Sequence, residues 1–78
     1  MRVRVIPFAE LRRQLLPRGQ DTLWLDVPEG TTVGDLIRQL DVKVTDRLIV
    51  GLDGTYAPAD TPLHDNAELT LVTPMEGG

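Results

Sequence analysis

Cysteine is absent from all 78 residues of this chain, and no other feature constrains its fold more. A domain this small buries only about 60% of the surface that its unfolded form exposes. Many such domains rely on disulfides or a structural metal. Without thiols, disulfides and Cys-based zinc sites are excluded. The one histidine, His64, cannot build a His-rich metal site. An ordinary apolar core must carry the fold, and an apolar share of 41% is adequate for it. The length sets a ceiling of one domain.

Charge narrows the function. Twelve acidic and eight basic side chains give a net charge of −4. An acidic chain without a basic stripe is a poor ligand for nucleic acid or acidic lipid. It suits basic partner surfaces instead. No apolar run approaches the roughly 18 to 20 residues that span a bilayer. The start, Met1-Arg2-Val3-Arg4-Val5-Ile6, alternates charge with apolar residues, unlike a signal peptide. A cytoplasmic protein is expected.

The strands show a period of two. Val3 and Val5 alternate with Arg2 and Arg4, which predicts a strand with one wet face. Pro7 has no N–H to donate, so it is expected to stop the ladder and open a helix. Phe8, Leu11, Leu15 and Leu16 then fall on one helical face. Asp21 to Val27 reads as a second strand, with Leu23, Leu25 and Val27 on one face. Thr32 and Asp35 form a capping-box signal. Val33, Leu36, Ile37 and Leu40 follow as the apolar stripe of the main helix. Gly34, inside that helix, is expected to permit close approach to the sheet.

Leu48-Ile49-Val50 reads as a third strand, and Asp53-Gly54 as a hairpin turn into Thr55-Tyr56-Ala57. Glu68 to Thr73 is the last strand. Its parity turns Leu69 and Leu71 inward and Thr70 and Val72 outward. By the same alternation Val50 faces in and Ile49 faces out. Several short strands with one good helix predict an α+β fold, the helix covering one sheet face.

Most kinds of catalysis find no support. There is no Ser and no Cys, so serine and cysteine nucleophiles are excluded. His64, followed by Asp65 and Asn66, reads as a turn. Most carboxylates sit in turns or caps, where Asp accepts local hydrogen bonds. No Gly-Lys-Ser/Thr follows any glycine, so there is no phosphate loop. The tail differs. Gly77-Gly78 offers a side-chain-free strand that can thread a narrow cleft and set a carboxylate beside a phosphate of ATP. Adenylation would turn that weak electrophile into a mixed anhydride, open to sulfur or nitrogen nucleophiles.

Four segments resemble the small subunit of molybdopterin synthase and its thiamine sulfur-carrier relatives. Pro7-Phe8-Ala9-Glu10-Leu11-Arg12 looks like that family's Phe-Ala-x-Leu-Arg segment. Val27-Pro28-Glu29-Gly30-Thr31-Thr32-Val33-Gly34-Asp35-Leu36-Ile37 resembles its strand-to-helix passage. Leu63-His64-Asp65-Asn66-Ala67-Glu68-Leu69-Thr70-Leu71 resembles the approach to its last strand, with Asn66-Ala67 in place of Gly-Asp. Pro74-Met75-Glu76-Gly77-Gly78 resembles its ending. Where many relatives carry a Val-Asn-Gly-type segment, this chain has Val50-Gly51-Leu52-Asp53-Gly54, and the particular pathway stays open.

The resemblance implies a ubiquitin-like β-grasp: a mixed sheet with one main helix on one face. Residues 1–74 would form the domain and 75–78 a flexible tail. It implies a sulfur carrier, not an enzyme, with no bound cofactor. A partner activating enzyme would use ATP to adenylate Gly78, with Gly77 giving access, and a sulfur donor would convert it to a thiocarboxylate. A larger catalytic subunit would then receive the tail, most expectedly in molybdenum cofactor biosynthesis. Thiamine, amino-acid and RNA thiolation share this chemistry. A ubiquitin-like modifier joined through Gly78, or a binding module with an inert tail, are the rivals. The resemblance also makes the third and last strands neighbours. That would join Ile49 to Val72 in a partner-binding face, with Met75 beyond Pro74.

Overall fold

The computed structural model describes residues 1–42 and 48–73. Five strands and two helices run in the order β1 (Arg2–Pro7), α1 (Glu10–Leu15), β2 (Leu23–Asp26), α2 (Val33–Leu40), β3 (Ile49–Leu52), β4 (Thr55–Tyr56) and β5 (Ala67–Val72). One sheet holds all five strands, ordered β2-β1-β5-β3-β4. β1 and β5 are parallel, while β1–β2, β3–β5 and β3–β4 are antiparallel. This is the mixed β-grasp sheet, and the fold class is α+β.

Alternation decides what is buried. Val3 and Val5 on β1, and Ala67, Leu69 and Leu71 on β5, are fully buried. They meet Val33 and Leu36 of α2 and Leu11 of α1 in one core. Ile37 and Leu40 pack at its margin. Leu69 and Leu71 therefore face inward and Thr70 and Val72 outward, as their parity predicts.

The start of α2 is held on every side. Thr32 accepts a hydrogen bond from the Asp35 N–H at 3.2 Å, and the Asp35 carboxylate accepts one from the Thr32 N–H at 3.1 Å. These two bonds complete the capping box. The next two N–H groups, which a helix leaves without internal acceptors, go to a neighbouring loop. Val33 donates to the Thr61 carbonyl at 2.9 Å and Gly34 to the Ala59 carbonyl at 2.8 Å. Gly34 does permit a close approach, but the approaching backbone is this loop and not the sheet. A Cβ at Gly34 would lie 3.1 Å from the Ala59 carbonyl oxygen.

Two expectations about the first turn of the chain are corrected. Pro7 does not open α1; it is the last residue of β1, buried and in register with Leu71. Pairing of β1 with β2 ends at Val5, and the next N–H on the β5 side is that of Phe8, donating to Leu71 at 3.0 Å. The missing N–H of Pro7 thus points where no strand continues, and it is tolerated. Phe8 is not on the buried helical face. The chain bends at Ala9, whose φ is 53°, and α1 begins only at Glu10. Phe8 keeps the parity of β1 and stands outward.

At the other end, Asp53 and Gly54 both have positive φ, 52° and 86°. That is the type I′ geometry expected of a two-residue hairpin. It sets Gly51 against Tyr56.

Candidate partner-binding face

The uncovered face of the sheet is built by register. In β3–β5 pairing Ile49 lies directly opposite Val72, and Gly51 opposite Thr70. Ile6 lies beside Thr70 on the parallel side. Phe8 follows Ile6 by two residues, next to Val72. Tyr56 faces Gly51 across the hairpin. Parity puts all these side chains on one surface, at the end of the sheet from which β5 leaves toward the tail.

Large apolar side chains are grouped there in contact with solvent. Ile49 is 49% exposed, Phe8 46% and Tyr56 74%. Val72 and Ile6 are half-buried. Single exposed apolar residues need no explanation, but a contiguous group is a candidate interaction surface. Gly51 sits at its centre and adds no side chain, so the backbone there is open to a flat partner.

Ile49 and Val72 are thus brought together as the β-grasp reading requires. The other predicted site residues, Met75, Gly77 and Gly78, lie outside the described residues. Phe8, Ile6 and Tyr56 were missed. The signal for the first two was present: Arg4, Ile6 and Phe8 share a period of two through Pro7. Tyr56 follows from the Asp53-Gly54 turn once its type fixes the register.

The polar groups at the far end of the sheet do different work. His64 joins the hairpin to the approach of β5. Its Nε2 bonds the Asp53 carboxylate, and its Nδ1 lies 2.9 Å from the Asp65 carbonyl. Both ring nitrogens face acceptors, so the imidazolium satisfies both. The bond to Asp53, and then the Asp65 carbonyl, raise the His64 pKa. The His64 bond, with the Glu68 N–H at 3.0 Å, lowers that of Asp53. Asp35 is also lowered, first by its bond from the Thr32 backbone. His64 is therefore more than a turn residue: it clips two loops. Among the described residues no group of three or more His, Cys, Asp or Glu is placed to hold a metal ion. No described helix is long and apolar enough to cross a membrane.

Comparison with known proteins accounts for this geometry. The profile of the ThiS family matches residues 5–78. The chain belongs to the ThiS family. This group of sulfur-carrier and molybdopterin-synthase small-subunit proteins shares the ubiquitin-like β-grasp. SAMP1 from Haloferax volcanii has 25% identity, full coverage of both chains and a TM-score of 0.81. Molybdopterin converting factor subunit 1 from Pyrococcus furiosus has 23% identity over 95% of this chain and 98% of its own, with a TM-score of 0.77. A chain in the complex of subunits 1 and 2 of the Helicobacter pylori molybdopterin-converting factor has 19% identity, full coverage of both and a TM-score of 0.66. Proteins of this family are small carriers rather than enzymes.

Proposed function

We propose that this ThiS-family chain is a cytoplasmic sulfur carrier whose own C-terminal carboxylate, on Gly78, is the substrate. The observation that carries this reading is a family match that runs through Gly77 and Gly78. The Gly78 carboxylate attacks the α-phosphate of ATP on an activating enzyme and releases pyrophosphate. Hydrosulfide released by a sulfur donor then attacks the acyl carbon, displaces AMP, loses its proton and leaves a thiocarboxylate. Gly77 lets the tail thread the partner's cleft without a Cβ. The thiocarboxylate sulfur bonds to an acceptor held by a larger catalytic subunit, and water then cleaves the acyl–sulfur bond, leaving the sulfur on the acceptor and regenerating the Gly78 carboxylate. Likeness to molybdopterin converting factor chains supports molybdenum cofactor biosynthesis as the pathway.

Partner binding falls to the apolar face around Ile49 and Val72, extended by Met75, because β5 leads from that face directly into the tail. Phe8 and Tyr56 belong to the same surface. A second reading, a modifier joined to lysines through Gly78, is favoured by likeness to a small archaeal modifier protein of Haloferax volcanii. The two share the adenylation step and differ in the nucleophile.

Intact mass of the chain, after reaction with the activating enzyme, ATP and a sulfur donor, tests the first reading. The expected product is heavier by the difference between sulfur and oxygen. A Gly78→Ala variant should react poorly, and a C-terminal tag should abolish reaction while the fold persists. Normal adenylation of the tagged chain would overturn the proposal. A ladder of lysine-linked conjugates without a thiocarboxylate would establish the modifier.

A further inference from the structure

The outward face has a second half with opposite character. Trp24 on β2 lies opposite Arg4 on β1, and Asp26 opposite Arg2. The Arg2 guanidinium carbon sits 4.5 Å from the Trp24 ring centroid, and that of Arg4 sits 6.0 Å away. Two cations held against one indole are attracted by its quadrupole and fixed in position. Trp24 is nonetheless 43% exposed. The cluster is formed, and it stands open.

Its guanidiniums are incompletely paired. One terminal nitrogen of Arg4 reaches Glu68 at 3.5 Å, while its buried Nε has no hydrogen-bond partner. The Arg2 guanidinium has no ion-pair partner among the described residues, and the Trp24 indole N–H has no acceptor there. The arginines of the helices differ. Arg12 pairs with Asp21 at 3.2 Å, Arg13 with Glu10 at 3.4 Å, and Arg38 with Asp35.

We propose that Arg2, Arg4 and Trp24 form a docking site for an extended acidic segment of a partner protein, its carboxylates two residues apart. The α-carbons of Arg2 and Arg4 are separated by two strand steps, roughly 7 Å, and their guanidiniums lie side by side at the Trp24 ring. Alternate residues of an extended peptide present side chains at the same spacing. Each guanidinium offers a planar fork that matches a carboxylate. The border limits the ligand to isolated negative charges and decides against any long run of them. Asp26, Asp65 and Glu68 ring the cluster, with Asp65 accepting the Arg2 backbone N–H at 2.7 Å. A run of phosphodiesters would meet these carboxylates, whereas two isolated carboxylates need not. The next outward residue on β1 after Arg4 is Ile6, so the site is continuous with the apolar half of the face. A partner covering both halves would place acidic residues at one end and apolar residues at the tail end. The proposal does not depend on the chemistry of the C-terminus.

Nitrogen-15 NMR titration of the full chain tests it, with two isomeric peptides as probes. Acetyl-Glu-Thr-Glu-amide places both acids on one side of an extended backbone, and acetyl-Glu-Glu-Thr-amide places them on opposite sides. The first should shift the Trp24 indole and the Arg2 and Arg4 Nε–H signals saturably, and bind about threefold tighter than its isomer. Arg2→Lys with Arg4→Lys, which keeps the charge, should weaken binding about tenfold. Arg2→Glu with Arg4→Glu should abolish it, the remaining signals reporting an intact fold. Inorganic phosphate and an oligothymidylate serve as competitors. Tighter binding of either, equal binding of the two isomers, equal shifts at Arg12, Arg13 and Arg18, or an unmoved Trp24 indole would each overturn the proposal.

Discussion

Ile49 and Val50 are neighbours in the chain and close chemical relatives, yet Val50 is buried in the core while Ile49 stands half in water. The same contrast runs along β5, where Leu71 is fully buried and Val72 partly exposed. The inner face is covered by α2, by Leu11 of α1 and by Ala57 and Leu63 at the two ends of the loop that meets the start of α2. No described element of the chain covers the outer face. An apolar residue on the inside contributes through burial, roughly 25 cal/mol for each Å² removed from water. One on the outside gains nothing until another molecule arrives. Two identical-looking alternations therefore serve stability on one face and recognition on the other.

The strongest way to break this comparison is to cut into the inner face. Leu36→Ala and Leu69→Ala should each destabilise by about 2 to 5 kcal/mol, measured by denaturant titration. Small domains have little more than about 5 kcal/mol in total, so either variant can unfold outright. An unchanged melting temperature for Leu36→Ala would remove α2 from the core.

Gly34→Ala asks how tightly the inner cover is fitted. Helix propensity alone would make it stabilising by about 1 kcal/mol. The new Cβ meets the Ala59 carbonyl oxygen at 3.1 Å, and that oxygen is already held by the Gly34 N–H. The expected result is a net loss of about 1 kcal/mol, since overpacking outweighs propensity. A gain in stability would show that the loop yields.

On the outer face the signs reverse. Ile49→Asp, Val72→Asp and Phe8→Asp should each change stability by about 1 kcal/mol or less. Each should weaken binding to the activating enzyme or larger subunit at least about tenfold, measured by calorimetry. Full affinity in all three would leave the face without a role, and unfolding would show that the parity assignment is wrong.

The smallest effect is the clip at the polar end of the sheet. The His64 pKa is raised above 6.5 and that of Asp53 lowered below 3.8. The His64 contribution is complete below its unfolded pKa and is lost as pH rises through its folded one. The Asp53 contribution is present above its unfolded pKa and is lost as pH falls through its folded one. The pair thus helps most in the window between the two. Melting curves of His64→Gln and the parent chain should differ there and converge at higher pH. A constant difference across that range would mean that the imidazolium is not involved.

Much of this was legible in the sequence because alternation is a local signal. The parities of Leu69 and Leu71 against Val72, and of Val50 against Ile49, follow from position alone. The capping box at Thr32 and Asp35 did too, since both partners are three residues apart. Pro7 breaks the expectation because a missing donor matters only where a neighbouring strand needs one, and that depends on β2 beginning only at Leu23, opposite Val5. Phe8 was assigned to a helix because helical spacing to Leu11 fits as well as strand spacing to Ile6. The bend at Ala9 decides between them. The partner of Gly34 was also out of reach, because Ala59 is distant in the chain and its loop has no periodic pattern.

The place of β5 in the sheet has a mechanical consequence. It is the central strand, hydrogen-bonded to β1 on one side and β3 on the other. A pull on the chain at Thr73 acts along the strand axis, so it loads the bonds to both neighbours in shear and all at once. The two-residue edge strand β4 would instead peel away bond by bond under a comparable load. A partner that draws the chain into its cleft thus pulls against the best-anchored strand of the molecule. The force reaches the whole body, and the domain is drawn up against the partner before any strand gives way.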